Sequence, residues 1–128
     1  KQYAKIRQMY DTAGYDENGK SNFEKYLTRK TLEYIGDPEA EARHLEELYY
    51  EDGYFDEAGI LEQEIERFLG YLAEEDARFD MEDTTISDDL QLEADGLMSP
   101  TEIILTAYED SGVLEALAQI YDSYDFGY

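Results

Sequence analysis

The sequence predicts an all-α protein built as one compact domain of about five or six helices. Three observations predict it. Apolar residues recur at i, i+3, i+4 and i+7 along most of the chain, the period of a helix with one buried face. Helix-start signals precede those stretches at Ser21 with Glu24, at Asp37-Pro38, and at Ser99-Pro100-Thr101-Glu102. Glycines stand where the period ends, at Gly14, Gly36, Gly53 and Gly112. With 128 residues, 42% of them hydrophobic, the chain has the usual size of one domain and enough apolar surface for a core.

The first helix is expected over residues 1–12, where Tyr3, Ile6 and Tyr10 share one side. Gly14 and Asp16-Glu17-Asn18-Gly19 break it. Ser21 caps a second helix over 22–35, with Phe23, Tyr26, Leu27, Tyr34 and Ile35 facing inward. Pro38 opens a third over 38–51, burying Ala42, Leu45, Leu48 and Tyr49. Asp56 caps the fourth and longest, over 57–78, whose apolar seam is Leu61, Ile65, Phe68 and Leu72. Residues 79–98 lose the helical period, and a short strand or hairpin is expected near 84–92. Pro100 restarts a helix through Ile103, Ile104, Ala107 and Tyr108. Ser111-Gly112 kinks it before Leu114, Leu117, Tyr121 and Tyr124.

Charge is the second theme. There are 33 acids and 10 bases, a net charge of −23. Self-repulsion of that size ordinarily leaves a chain disordered. Thirteen tyrosines, five phenylalanines and regular Leu/Ile spacing are instead the composition of a folding chain. Residues 1–30 carry a net +3 and residues 31–128 a net −26, so the basic N-terminal helices suit either packing across acidic ones or the end that faces away from a cationic partner. Glu46 to Asp83 holds fifteen carboxylates and two arginines, a local charge of −13, around the apolar seam of the fourth helix.

Several chemistries are disfavoured. The absence of cysteine removes disulfides, thiolate nucleophiles and Cys-ligated zinc. No apolar run approaches the ~18 residues of a membrane span, so no membrane association and a cytoplasmic location are expected. The single histidine lies in Glu41-Ala42-Arg43-His44, whereas a di-iron bundle needs two such Glu-x-x-His pairs. His44 is therefore read as a surface residue beside Glu41 and Glu47, and neither a metal site nor a cofactor is expected. An EF-hand register through Gly19 would put Gly14 at the first ligand position and Lys25 at the last. With no Gly-rich phosphate loop and no serine beside a base, no enzyme is expected. Direct nucleic-acid binding is opposed by the charge.

The carboxylates themselves are the candidate site. With Leu61 at the centre of the buried face, Glu62 and Glu66 flank it on one side and Glu57, Glu64 and Glu75 on the other, all on flanks that solvent reaches. Like charges one turn apart repel at about 6 Å and weaken the helix slightly. Lysines at i+4 would relieve that, yet the segment supplies only Arg67 and Arg78. The expected partner-binding surface starts with Glu46, Glu47, Glu51, Asp52 and Asp56, with Tyr54 among them. It continues through Glu57, Glu62, Glu64, Glu66, Glu74, Glu75 and Asp76, and ends at Asp80, Glu82 and Asp83. Duplex DNA presents one negative charge per roughly 1.7 Å of its axis. Carboxylates at one-turn spacing on a rigid helix offer a comparable array to a basic nucleic-acid-binding protein, and tyrosines among them can stack on arginine.

This array, with the acidic-aromatic tail YDSYDFGY, resembles the small acidic, Tyr-rich DNA mimics of phages and mobile elements, which include anti-restriction and anti-CRISPR inhibitors. The likeness is one of composition and rests on no motif. That class shares no fold, so no individual residue carries over. The resemblance implies a protein in the host cytoplasm that occupies the nucleic-acid channel of a defence nuclease, such as a CRISPR effector or restriction enzyme. The alternative is an immunity-type protein that neutralises a basic nuclease toxin through one local patch such as 46–57. Leu97, Met98 and the Tyr-rich tail also suit a homodimer contact.

Overall fold

The computed structural model describes residues 2–49, 57–79 and 86–123. Among them the chain forms α1 (Gln2–Ala13), α2 (Asn22–Ile35), α3 (Pro38–Tyr49), α4 (Glu57–Glu75), a 3₁₀ turn (Ala77–Phe79), α5 (Ile86–Ala94), α6 (Pro100–Ser111) and α7 (Val113–Ser123). The all-α class is as expected, with seven helices in place of five or six.

Local chemistry sets the helix ends. The Ser21 hydroxyl accepts the Glu24 N–H at 3.3 Å, and the Ser99 hydroxyl accepts the Glu102 N–H at 3.3 Å. Each bond satisfies one of the orphan donors of a first turn. Gly36 closes α2 at φ 65°, its N–H reaching the Leu32 carbonyl at 3.0 Å. Gly112 stands at φ 94°, a left-handed geometry that glycine adopts without strain, and it separates α6 from α7. Between α1 and α2, Asp16 holds the turn by accepting the N–H groups of Asn18 at 2.8 Å and Lys20 at 2.9 Å.

The helices pack through the stripes that the periodicity marks. α3 lies along α7, α2 along α6, α1 against α5 and α2, and α4 against α6. Ile6, Tyr10, Leu27, Leu45, Phe68, Leu72, Ile104, Tyr108 and Leu117 are the fully buried centre. All of the α4 seam, Leu61, Ile65, Phe68 and Leu72, is buried. The Tyr10 hydroxyl donates to the Met98 carbonyl at 2.8 Å and accepts the Met98 N–H at 3.1 Å. One phenol thus ties α1 to the segment before α6.

Three expectations are corrected. Residues 86–92 lie in α5, not in a strand or hairpin. Its inward positions are Asp88 and Leu92, while Ile86 and Leu90 point to solvent, Ile86 at 79% exposure. Asp88 accepts the Tyr3 N–H at 3.3 Å, so a carboxylate fills a buried position that hydrophobic periodicity would assign to an apolar side chain. Leu48, expected in the core, is 39% exposed, because the buried face of α3 is Glu41, Ala42 and Leu45. The fourth helix ends at Glu75 rather than 78. There Asp76 accepts the Arg78 N–H at 3.0 Å and starts the 3₁₀ turn that drives Phe79 into the core, stacked 6.2 Å from Phe23.

Candidate functional site

Acids of the described region fall into three environments. The first group is already paired inside the chain. Arg7 meets Asp95 at 2.8 Å, Lys25 meets Asp16 at 2.8 Å, and Arg78 grips Asp76 through two nitrogens at 2.6 Å and 3.0 Å. Lys30 of α2 reaches Glu75 of α4 at 3.5 Å. The basic N-terminal helices therefore do pack across acidic ones. Of the expected partner-binding residues, Glu64, Glu75 and Asp76 already have a cation beside them.

The second group is exposed. Glu62, Glu66 and Glu74 stand on one row of α4, with Gly70 filling the fourth position of that row. Helical rise puts Glu62 about 6 Å from Glu66 and Glu66 about 12 Å from Glu74 along the axis. Among the described residues no base lies within ion-pair distance of these three. On α3, Glu47 is exposed and Glu46 half-buried. The expectations for Glu51, Asp52, Tyr54, Asp56, Asp80, Glu82 and Asp83, and for the Glu57 side chain, lie outside the described residues.

The third environment is a correction. Glu64, expected on a solvent-reachable flank, is 0% exposed. It falls three residues after Leu61 and four before Phe68, so it sits on the seam rather than beside it. The buried arc of α4 widens on that side to take in Ile60 and Glu64. Opposite it on α3 is Glu41, also buried. A carboxylate oxygen of each and a ring nitrogen of His44 all lie within 4.8 Å of one another. The Tyr108 hydroxyl of α6 donates to Glu41 Oε2 at 3.1 Å. Neither oxygen of Glu64 receives a hydrogen bond. The Arg67 guanidinium stops 3.6 Å from Glu64 Oε1, an ion pair beyond hydrogen-bond reach. His44 is exposed, as expected, and forms the solvent edge of the cluster.

This setting shifts the groups around it. Burial first, and the facing Glu64 second, push the Glu41 carboxyl up to about 8, so Glu41 keeps its proton at neutral pH. Burial likewise raises the Tyr108 phenol, which stays a donor. The sequence held a trace of this cluster in Glu41-x-x-His44 and in the position of Glu64 on the seam. It held no trace that α3 and α4 face each other there.

No helix among the described residues is long and apolar enough to cross a membrane. Comparison with protein-family models, with curated proteins and with solved structures finds no match. Among the described residues, the fold and the site thus define a small, strongly acidic all-α protein with an exposed carboxylate row on α4 and a buried carboxylate pair between α3 and α4.

Proposed function

We propose that the protein is an acidic nucleic-acid mimic. In this reading it enters the basic DNA- or RNA-binding channel of a host defence nuclease, such as a CRISPR effector or restriction enzyme, and blocks nucleic-acid binding. The observation that supports the reading is the row Glu62, Glu66 and Glu74, exposed on a 19-residue helix and with no base within ion-pair distance among the described residues. Along this row like charges stand one and two turns apart with no described base within ion-pair distance, an arrangement that lowers helix stability. A fixed array of this kind is attractive only to a cationic surface, and it steers association in a salt-dependent way.

The test uses purified CRISPR effectors and restriction enzymes with a labelled duplex. The native protein is expected to displace the duplex from at least one of them, and excess unlabelled duplex to release the protein. The E62K/E66K/E74K variant is expected to lose that displacement while keeping its helical circular dichroism. Displacement by the variant at wild-type strength would remove α4 from the recognition surface. A partner that stays bound despite excess duplex would replace the mimic reading with the immunity-type one.

A further inference from the structure

We propose that Glu41, His44 and Glu64 form a binding site for one divalent transition-metal cation, with Zn2+ as the reference ion. The site joins two helices. Glu41 and His44 come from adjacent turns of α3, and Glu64 projects from α4. Their donor atoms lie within 4.8 Å of one another. Zinc bonds of about 2.0–2.2 Å to nitrogen and oxygen place ligand atoms roughly 3–4 Å apart, so small side-chain torsions close the set.

A cluster of acids alone would not carry this. The independent observation is Glu64, fully buried, with both oxygens lacking a hydrogen-bond donor and one of them within the cluster. Buried carboxylates are ordinarily satisfied by N–H or hydroxyl groups. Two species can satisfy this one: a proton held between the two carboxyls, or a cation. The ligand chemistry selects the cation's class. One imidazole with two carboxylates suits zinc and its first-row neighbours, whereas Mg2+ and Ca2+ take oxygen sets.

The surroundings fit a bound ion. Tyr108 donates to Glu41 Oε2 at 3.1 Å, an outer contact that fixes the carboxylate's orientation. His44 is exposed, giving the ion a path from solvent and leaving its remaining positions to water. Arg67 competes for Glu64 from 3.6 Å, with its side chain half exposed.

The test must separate this site from diffuse binding to a chain of charge −23. Calorimetric titration with Zn2+ in about 0.5 M salt and excess Mg2+ screens the surface, since the Debye length there is only ~4 Å. One saturable equivalent is expected for the wild type. His44→Ala, on the exposed edge, is expected to keep the melting temperature of the metal-free protein and to weaken Zn2+ at least tenfold. Co2+ is expected to show visible absorption bands in the wild type that H44A lacks. Equal Zn2+ affinity in wild type and H44A would overturn the proposal. So would the absence of a stoichiometric site, which would leave the proton as the occupant.

Discussion

In protein freed of metal by a chelator, Glu64→Gln is expected to raise the melting temperature at neutral pH. Glu64 is fully buried, and the proton that Glu41 keeps is the one donor facing its oxygens. A buried charge that shares a single proton still costs several kcal/mol even after relaxation. The one nearby cation, Arg67, lies 3.6 Å away with its side chain 49% exposed, an ion pair worth roughly 0–1 kcal/mol. Glutamine keeps the shape, removes the charge and offers an N–H to Glu41. The net gain is about 2 kcal/mol, or roughly 6–10 °C for a domain of this size. Glu66→Gln, on the exposed row, is the control and should move stability by less than about 0.5 kcal/mol. The pH dependence gives a second reading. Glu41 titrates at about 8 in the folded chain against 4.5 in the unfolded one. Between those values the native state holds a proton that the unfolded chain has lost, so wild-type stability falls as pH rises through that window and levels off above it. In E64Q the window should be narrower, because one cause of the shift is gone. Calorimetry in chelator from about pH 5 to pH 9 measures both. An E64Q protein that melts at or below the wild type, with an unchanged window, would refute the reasoning.

Three further outcomes are expected. Gly70→Ala should stabilise by about 0.5–1 kcal/mol in thermal denaturation, since Gly70 is helical and exposed and an added Cβ meets nothing within 4 Å. Tyr10→Phe should cost about 1–2 kcal/mol in urea unfolding, because it strips both partners from the half-buried Met98 backbone at 2.8 Å and 3.1 Å. Lys25 first, then the Lys20 N–H, hold the Asp16 carboxyl down at about 2 against its usual 3.8. That depressed value stabilises the fold above the unfolded pKa and is lost as pH falls through the folded one. Asp16→Asn should therefore melt below the wild type at neutral pH, and the gap should close as pH drops from about 4 to about 2.

Most of the fold was legible because two signals agreed along the chain. Ser21, Ser99, Gly36 and Gly112 punctuate the helices where their side chains or φ values act, and the apolar stripes between them are the stripes that pack. α5 was illegible for a physical reason. Of its two buried residues only Leu92 is apolar; the other, Asp88, is inside because it receives the N–H of Tyr3 from α1. A contact across 85 residues leaves no local period to read. The candidate site divides in the same way. Exposure of Glu62, Glu66 and Glu74 follows from the helical wheel. Pairing of Glu75 with Lys30, and of Glu64 with Glu41, depends on which helices meet.

The two acidic sites differ in the medium around them, and salt separates them. The exposed row acts through water, where the Debye length falls from ~8 Å at physiological ionic strength to ~3 Å at 1 M. Carboxylates about 6 Å apart then act on a partner as isolated charges, and association with a basic channel should weaken steeply. The Glu41–Glu64 pair is buried between α3 and α4, where screening is small. The stability gained by Glu64→Gln should therefore change little between about 0.1 M and 1 M salt, measured by the same calorimetry. Parallel collapse of both effects would mean that solvent reaches the pair, and it would remove the buried charge from the account. Persistence of the one with loss of the other would separate a solvent-exposed charge array from a buried pair that salt does not screen.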